Sequence, residues 1–147
     1  MLKRLLKRRG SVIKIVLDTN VFVSGIFWSG PPYKILDAWQ SGKVTIISSA
    51  EILDEYIRVA ELLAKKYSGV NVKPFIDLVT IHGDLYEPVK LSESVSCDPD
   101  DDKFIACALS AKCKTIVSGD SDLLDISGYS GIKVFKPAEF VKQKLIA

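Results

Sequence analysis

The chain has 147 residues and a net charge of +2, with 48% hydrophobic and 26% charged residues. These values are typical of one globular domain with a real core, and no apolar run approaches the roughly 20 residues that a membrane-spanning helix requires. Three cysteines without a CxxC pair, and no signal-peptide pattern, favour a reducing, cytoplasmic location.

Basic residues are concentrated at the N-terminus. Five of the 20 lysines and arginines are Lys3, Arg4, Lys7, Arg8 and Arg9, and the remaining 15 stand against 18 acidic residues. We expect residues 1–11 to be a basic N-terminal extension and residues 12–147 to be a single domain. Such an extension can contact nucleic-acid phosphates without sequence preference, or can simply be a solvated terminus.

Short apolar runs rich in β-branched residues alternate with helical patterns along the chain. The predicted strands are residues 12–17, 44–47, a weaker 85–89, 115–117 and 132–135. The predicted helices are residues 32–40, a helix opened by the capping box of residues 48–51 and running towards Tyr67, residues 74–81, 98–111, and one after Pro137. Continuous apolar strands suit a sheet covered on both faces, which predicts a three-layer α/β/α sandwich with a mainly parallel sheet.

Two aspartates follow predicted strands directly. Asp18 ends the first apolar run, and Asp120 comes shortly after the run at 115–117. Because ligands bind at the carboxyl ends of parallel strands, we expect these acids to share one edge of the sheet. A buried, unpaired carboxylate is costly, so a bound cation is the expected compensation. Asn20 and Ser118 stand nearby and are expected to orient the carboxylates, although Asn20 fits equally well as a turn cap.

Glu55 falls on the apolar face of a predicted helix. With Ile52 at zero and about 100° per residue, the apolar residues span about −80° to +140°, and Glu55 lies at about −60°. Its neighbours Glu51 and Asp54 fall outside that arc. An inward glutamate suggests a site residue; the alternative is a boundary residue that reaches solvent or pairs with a lysine.

Asp102 and Asp122 each lie near a predicted helix start. Asp102 is on the apolar side of its helix, but so is Asp101, and the whole acidic run from Asp98 occupies a helix N-terminus, where carboxylates are favoured. Helix capping explains two of the four aspartates in the run 98–102, but not all four, because four neighbouring carboxylates repel one another. For Asp122, the position after a turn favours a helix cap.

An oxygen-only cluster of this kind selects Mg²⁺ or Mn²⁺ over zinc. The single histidine, His82, stands far from the acidic motifs, and no glycine-rich nucleotide loop is present. Carboxylates holding one or two such ions suit phosphodiester hydrolysis, because the ions activate water and neutralise the phosphate. Their charge also lets an acidic surface bind nucleic acid.

Four segments, in order, resemble the acidic motifs of PIN-domain nucleases. They are IVLDTNVF (residues 15–22), EILDE (51–55), DPDDDKFIA (98–106) and SGDSDL (118–123). The resemblance covers the chain from Ile13 to about Phe140. It implies a Rossmann-like fold, Mg²⁺- or Mn²⁺-dependent endonucleolytic cleavage of single-stranded RNA, and Asp18, Glu55, Asp102 and Asp120 as the catalytic, metal-binding acids, with Asp122 as an accessory.

Two further expectations come from the same resemblance. The acidic run from Asp98 and the FWSGPP segment at residues 27–32 look like the branch that contains toxins of toxin–antitoxin pairs, which implies an antitoxin protein as a partner. Many PIN proteins are dimers, so a homodimer is implied.

Three other functions compete with the nuclease. A receiver-like regulatory domain would bind Mg²⁺ without hydrolysis, using Asp18 with Ser118 and Lys133, but would leave Glu55 without a role. A phosphatase with Asp18 as nucleophile would require an aspartate where Asn20 stands. A catalytically silent PIN scaffold would bind RNA or an antitoxin without cleavage, and the intact acids argue against it.

Overall fold

The computed structural model describes residues 12–146 of the chain. The basic residues Lys3, Arg4, Lys7, Arg8 and Arg9 lie outside the described residues, so the division into an extension and a single domain stays a prediction. Within residues 12–146, no helix is long and apolar enough to cross a membrane.

A central sheet of five parallel strands has the spatial order β3-β2-β1-β4-β5. The strands are β1 (Ile13–Leu17), β2 (Val44–Ser48), β3 (Asp84–Leu85), β4 (Thr115–Val117) and β5 (Lys133–Phe135). The chain runs outward from β1 to β3 and then returns to the other side of β1. Because crossovers between parallel strands are almost always right-handed, this change of direction puts helices on both faces of the sheet. The predicted α/β/α sandwich is confirmed.

The helices fill the connections between strands. They are α1 (Thr19–Phe27), α2 (Pro31–Gln40), α3 (Ala50–Lys66), α4 (Lys73–His82), α5 (Asp102–Ser110), α6 (Ser121–Leu124) and α7 (Pro137–Phe140). A π-helical segment, Val141–Ile146, continues α7, and 3₁₀ turns occupy Pro99–Asp101 and Tyr129–Gly131. The predicted helices are therefore present, with shifted ends.

Helix α3 begins one residue later than the capping-box pattern predicts. Ser48 completes β2, and Ser49 is the cap, with its hydroxyl accepting the Ile52 N–H at 3.3 Å. Within α3, the buried Tyr56 hydroxyl donates to the Leu17 carbonyl at 2.5 Å, and its ring stacks on Phe22 at 4.2 Å. These contacts fix α3 against the end of β1 and thereby place the neighbouring Glu55.

Helix α1 is not predicted by the sequence pattern, because it is rich in β-branched residues and contains Gly25, all of which are weak helix formers. Tertiary contacts decide its conformation instead. A Cβ on Gly25 would lie 2.7 Å from both the Pro32 carbonyl oxygen and the Leu36 Cδ1, so the glycine permits α1 and α2 to pack closely.

Gly25→Ala should destabilise the domain, although alanine is the better helix former by about 1 kcal/mol. The clash with the Pro32 carbonyl cannot be relieved by a side-chain rotation, and overpacking typically costs about 1–3 kcal/mol. Urea unfolding followed by circular dichroism measures the change. Ser24→Ala in the same helix is the control, and equal or greater stability of Gly25→Ala would contradict the close packing of α1 on α2.

The three thiols should react at very different rates. Cys97 is exposed, whereas Cys107 and Cys113 are buried. Burial, with Cys113 nearby, raises the pKa of Cys107 to about 12, and burial also raises the pKa of Cys113. Because the thiolate is the reactive form, a disulfide reagent at mildly alkaline pH should modify one thiol rapidly in the native protein and three in denaturant. Rapid modification of two or more native thiols would show that the core differs from the one described.

Candidate functional site

Asp18 lies at the point where the strand order reverses, between β1 and β4. Its side chain is only 5% exposed. One carboxylate oxygen accepts the Val21 N–H at 2.9 Å, which makes Asp18 the N-cap of α1, and the other accepts the Ser118 hydroxyl. Burial raises the pKa of Asp18, and the charges of Asp120 and Glu55 add to this, against the opposing hydrogen bonds of Ser118 and Val21.

Ser118 joins Asp18 to Asp120. It is fully buried after β4, donates its hydroxyl to Asp18, and accepts the Asp120 N–H at 2.9 Å. Asp120 in turn caps α6 by accepting the Asp122 N–H at 3.2 Å. The helix cap expected at Asp122 is therefore Asp120, since the helix begins directly after it. Asp18 and Asp120 meet at one edge of the sheet, as strand-end geometry predicts.

Glu55 projects from α3 towards the same edge, with its side chain 23% exposed. Its Oε1 accepts the hydroxyl of Thr19, and its Oε2 lies 2.9 Å from the Lys103 Nζ. Partial burial favours the neutral form, but the Thr19 and Lys103 contacts outweigh it, so the pKa of Glu55 is lowered. Glu55 therefore lies on the inner face of α3, as the helical wheel predicts. It also pairs with a lysine, as the alternative interpretation of this residue predicts.

The fourth acid at this edge is Asp101 rather than Asp102. Asp101 ends the 3₁₀ turn and lines a cavity of about 210 Å³ together with Asp18, Glu55 and Asp120. Burial, the neighbouring carboxyl of Asp120 and the charges of Asp120, Asp98 and Asp18 raise the pKa of Asp101 to about 7.

Asp102 points away from the group because its carboxylate is used elsewhere. It accepts the Ser96 N–H at 2.8 Å, the Val95 N–H at 3.2 Å and the Ser94 hydroxyl at 2.6 Å. These bonds anchor the segment before the acidic run to the start of α5. The structure thus does not bring Asp102 together with Asp18, Glu55 and Asp120.

Asp122 and Asp98 form an outer group with Asp101. Single carboxylate oxygens of these three residues lie within 4.8 Å of one another, close enough to share a cation. Asp101 therefore stands between the outer acids and the inner cavity. Asn20 is exposed and lines both the inner cavity and a neighbouring one of about 380 Å³, which Asp18 and Asp120 also border.

The inner residues fit a hard divalent cation. Among residues 12–146, Oδ2 of Asp101 is a buried side-chain oxygen without a hydrogen-bond partner. Asp18, Asp101 and Asp120 supply only carboxylate oxygens. The charge of Asp120 helps to raise the pKa of Asp18, and the charges of Asp120 and Asp18 help to raise the pKa of Asp101, so a cation between them would relieve their repulsion.

Comparison with known proteins agrees with this geometry. Residues 14–122 match the family described as PIN domain. The chain belongs to the PIN-domain family. It is also 31% identical over 143 residues to the uncharacterized protein MJ1680 of Methanocaldococcus jannaschii, with 89% of this chain and 91% of that protein covered. PIN domains are generally nucleases and typically use divalent metals, so the coarse function is a hydrolase acting on nucleic acid.

Three residues at or near this edge of the sheet are not predicted by the sequence pattern. A helical wheel places both Asp101 and Asp102 on the apolar side. It cannot distinguish them, because successive residues in the 3₁₀ turn before α5 are about 120° apart instead of the 100° that the wheel assumes. Thr19 carries no signal beyond its place after Asp18. Lys103 adjoins the acidic run, and only the packing of α3 and α5 shows that it reaches Glu55.

Asp101→Asn should stabilise the metal-free domain at alkaline pH. Because the folded pKa of Asp101 lies near 7, above its ordinary 3.8, its ionisation progressively weakens the fold as the pH rises from about 4 through 7. Asparagine removes this effect, by about 1 kcal/mol or less since the group is partly exposed and screened. Thermal melts in EDTA at about pH 4 and pH 8 measure it. A variant less stable than the wild type at pH 8 would contradict the crowding of carboxylates around Asp101.

Proposed function

We propose that this PIN domain is a Mg²⁺- or Mn²⁺-dependent endoribonuclease that hydrolyses phosphodiester bonds of single-stranded RNA. The observation that carries the proposal is the convergence of Asp18, Asp101 and Asp120 at the strand-order reversal, with one buried Asp101 oxygen left without a partner. An oxygen-only site open to solvent is the arrangement that such ions prefer in nucleic-acid hydrolysis.

Three of the acids share one proposed role. Asp18, Asp101 and Asp120 hold the cation, and Ser118 orients Asp18 and Asp120. Glu55 borders the cavity, held by Thr19 and Lys103. When bound, the divalent ion would neutralise charge on the phosphate and favour ionisation of the attacking water.

The outer residues complete the proposed site. Asp122, with Asp98, forms an accessory acidic group beside Asp101. Asn20 lies exposed at the mouth of the cavity, where its amide can reach the sugar-phosphate chain. Asp102 supports the site by anchoring the segment at residues 94–96.

The position of Lys133 argues against the receiver-like alternative. That function requires Lys133 to converge on Asp18 with Ser118, but the Lys133 Nζ lies over the Phe135 ring, 4.7 Å from its centroid. Ser118 already donates to Asp18. The contacts of Lys133 therefore favour the nuclease.

The biological setting is proposed from the resemblance of the acidic run and the FWSGPP segment. We infer a cytoplasmic toxin that acts on RNA as a homodimer and is inhibited by an antitoxin protein. A small DNA-binding protein encoded next to this chain would support the toxin role, and an isolated gene whose expression leaves growth unchanged would contradict it.

Asp18→Asn should lower the cleavage of single-stranded RNA in Mn²⁺ by at least about 100-fold, because one ligand charge is lost from the site. The fold should persist, since asparagine also caps a helix well and can accept the Val21 N–H. Gel analysis of a labelled RNA measures cleavage, and circular dichroism measures folding.

The matched control is Asp54→Asn, which removes an exposed carboxylate from the outer side of α3 and should leave cleavage unchanged. Undiminished cleavage by Asp18→Asn, or cleavage by the wild type that persists in EDTA, would rule out the proposed function.

A divalent ion should raise the melting temperature of the wild type. Binding to the folded state alone stabilises it by about 2.7 kcal/mol at a concentration 100 times the dissociation constant. Thermal melts with Mn²⁺, and with Ca²⁺ or Na⁺ of matched ionic strength, test this. No Mn²⁺-specific increase, or an equal increase in Asp120→Asn, would show that the acids do not hold the ion.

A further inference from the structure

Lys103 is held in place by three contacts. Its side chain is only 13% exposed. The Nζ lies 2.9 Å from Glu55 Oε2, donates to the Asp100 carbonyl at 2.7 Å, and stands 5.4 Å from the centroid of the Phe104 ring. Lysine is a flexible point charge, so a partly buried lysine with this many contacts holds a defined position.

Both oxygens of Glu55 consequently have hydrogen-bond donors. Thr19 donates to Oε1, and Lys103 donates to Oε2 in a charge-assisted bond. Arg58 lies farther away, at 3.9 Å, and is 65% exposed, so its pairing contributes little. The Lys103 ammonium therefore compensates the charge of Glu55. Asp18, by contrast, receives only uncharged donors, from Val21 and Ser118, and the buried Oδ2 of Asp101 has no partner among the described residues.

We propose that Lys103 is the positioning residue that keeps Glu55 out of the metal-holding set, so that the site takes one divalent ion, on Asp18, Asp101 and Asp120. This inference rests on the proposed metal-dependent function. Binding an ion at Glu55 would require breaking the bond to Lys103, and the ammonium would repel a second ion in its place. Lys103 thus acts as a built-in cation where a second ion would otherwise bind.

The number of bound ions tests the proposal directly. Free Mn²⁺ gives an electron paramagnetic resonance signal that bound Mn²⁺ loses, so a titration counts the ions held by each chain. We expect one ion for the wild type, two for Lys103→Met, and one for Lys103→Arg, which keeps the charge. Arg58→Gln is the matched control, since it removes the other nearby cation of Glu55, and should also bind one.

A second pair of variants keeps the proposal testable if Lys103→Met does not fold. Glu55→Gln should bind the ion with a dissociation constant within about threefold of the wild type, whereas Asp101→Asn should weaken binding by at least about tenfold. Circular dichroism of each variant separates lost binding from lost folding.

Three results would overturn the inference: two ions of similar affinity in the wild type, a folded Lys103→Met that still binds one, or Glu55→Gln that weakens the ion as much as Asp101→Asn does. None of these readings depends on RNA. A wild type that binds one Mn²⁺, gains a second in Lys103→Met and cleaves no RNA would leave this inference intact and reject the proposed nuclease.

Discussion

The burial of the Asp18 carboxylate at the end of β1 is the constraint on which the rest of the site depends. A carboxylate that is 5% exposed must find donors, and it finds one on each side, in the Val21 N–H and the Ser118 hydroxyl. The first donor starts α1 immediately after the strand. The second fixes the end of β4 beside β1, and the same Ser118 then receives the Asp120 N–H. The positions of Asp18 and Asp120 therefore both depend on the hydrogen bonds that stabilise the buried Asp18 carboxylate.

The acids of this edge are compensated in different ways, and that difference separates their roles. Asp102 is satisfied by backbone N–H groups, and Glu55 by Lys103 and Thr19. Asp18 receives only uncharged donors, from Val21 and Ser118, and the buried Oδ2 of Asp101 has no hydrogen-bond partner within residues 12–146. These charges without a cationic partner support the proposal that Asp18, Asp101 and Asp120 hold a cation. Of the four acids that the sequence predicts, the structure pairs Glu55 with Lys103, and it places Asp101 in the inner cavity, one residue before the predicted Asp102.

The sequence predicts those features that depend on periodicity and strand ends. Continuous apolar runs predict the parallel sheet, and the strand-end rule brings Asp18 and Asp120 together. Periodicity does not predict helix α1, because the helix is composed largely of weak helix formers. It is stabilised instead by the Asp18 cap and by the close packing that Gly25 permits against Pro32 and Leu36. Periodicity also does not predict which of Asp101 and Asp102 faces the inner cavity, since a 3₁₀ turn changes the angle between successive residues. The pairing of Glu55 with Lys103 joins two helices, and no local pattern in either one indicates it.

The most direct test of this account is anomalous X-ray diffraction from crystals of the protein grown with Mn²⁺. We expect one strong peak within bonding distance of carboxylate oxygens from Asp18, Asp101 and Asp120, with Asp102 still hydrogen-bonded to residues 94–96. A peak coordinated by Asp102, or one held only by the outer acids Asp98 and Asp122, would contradict it.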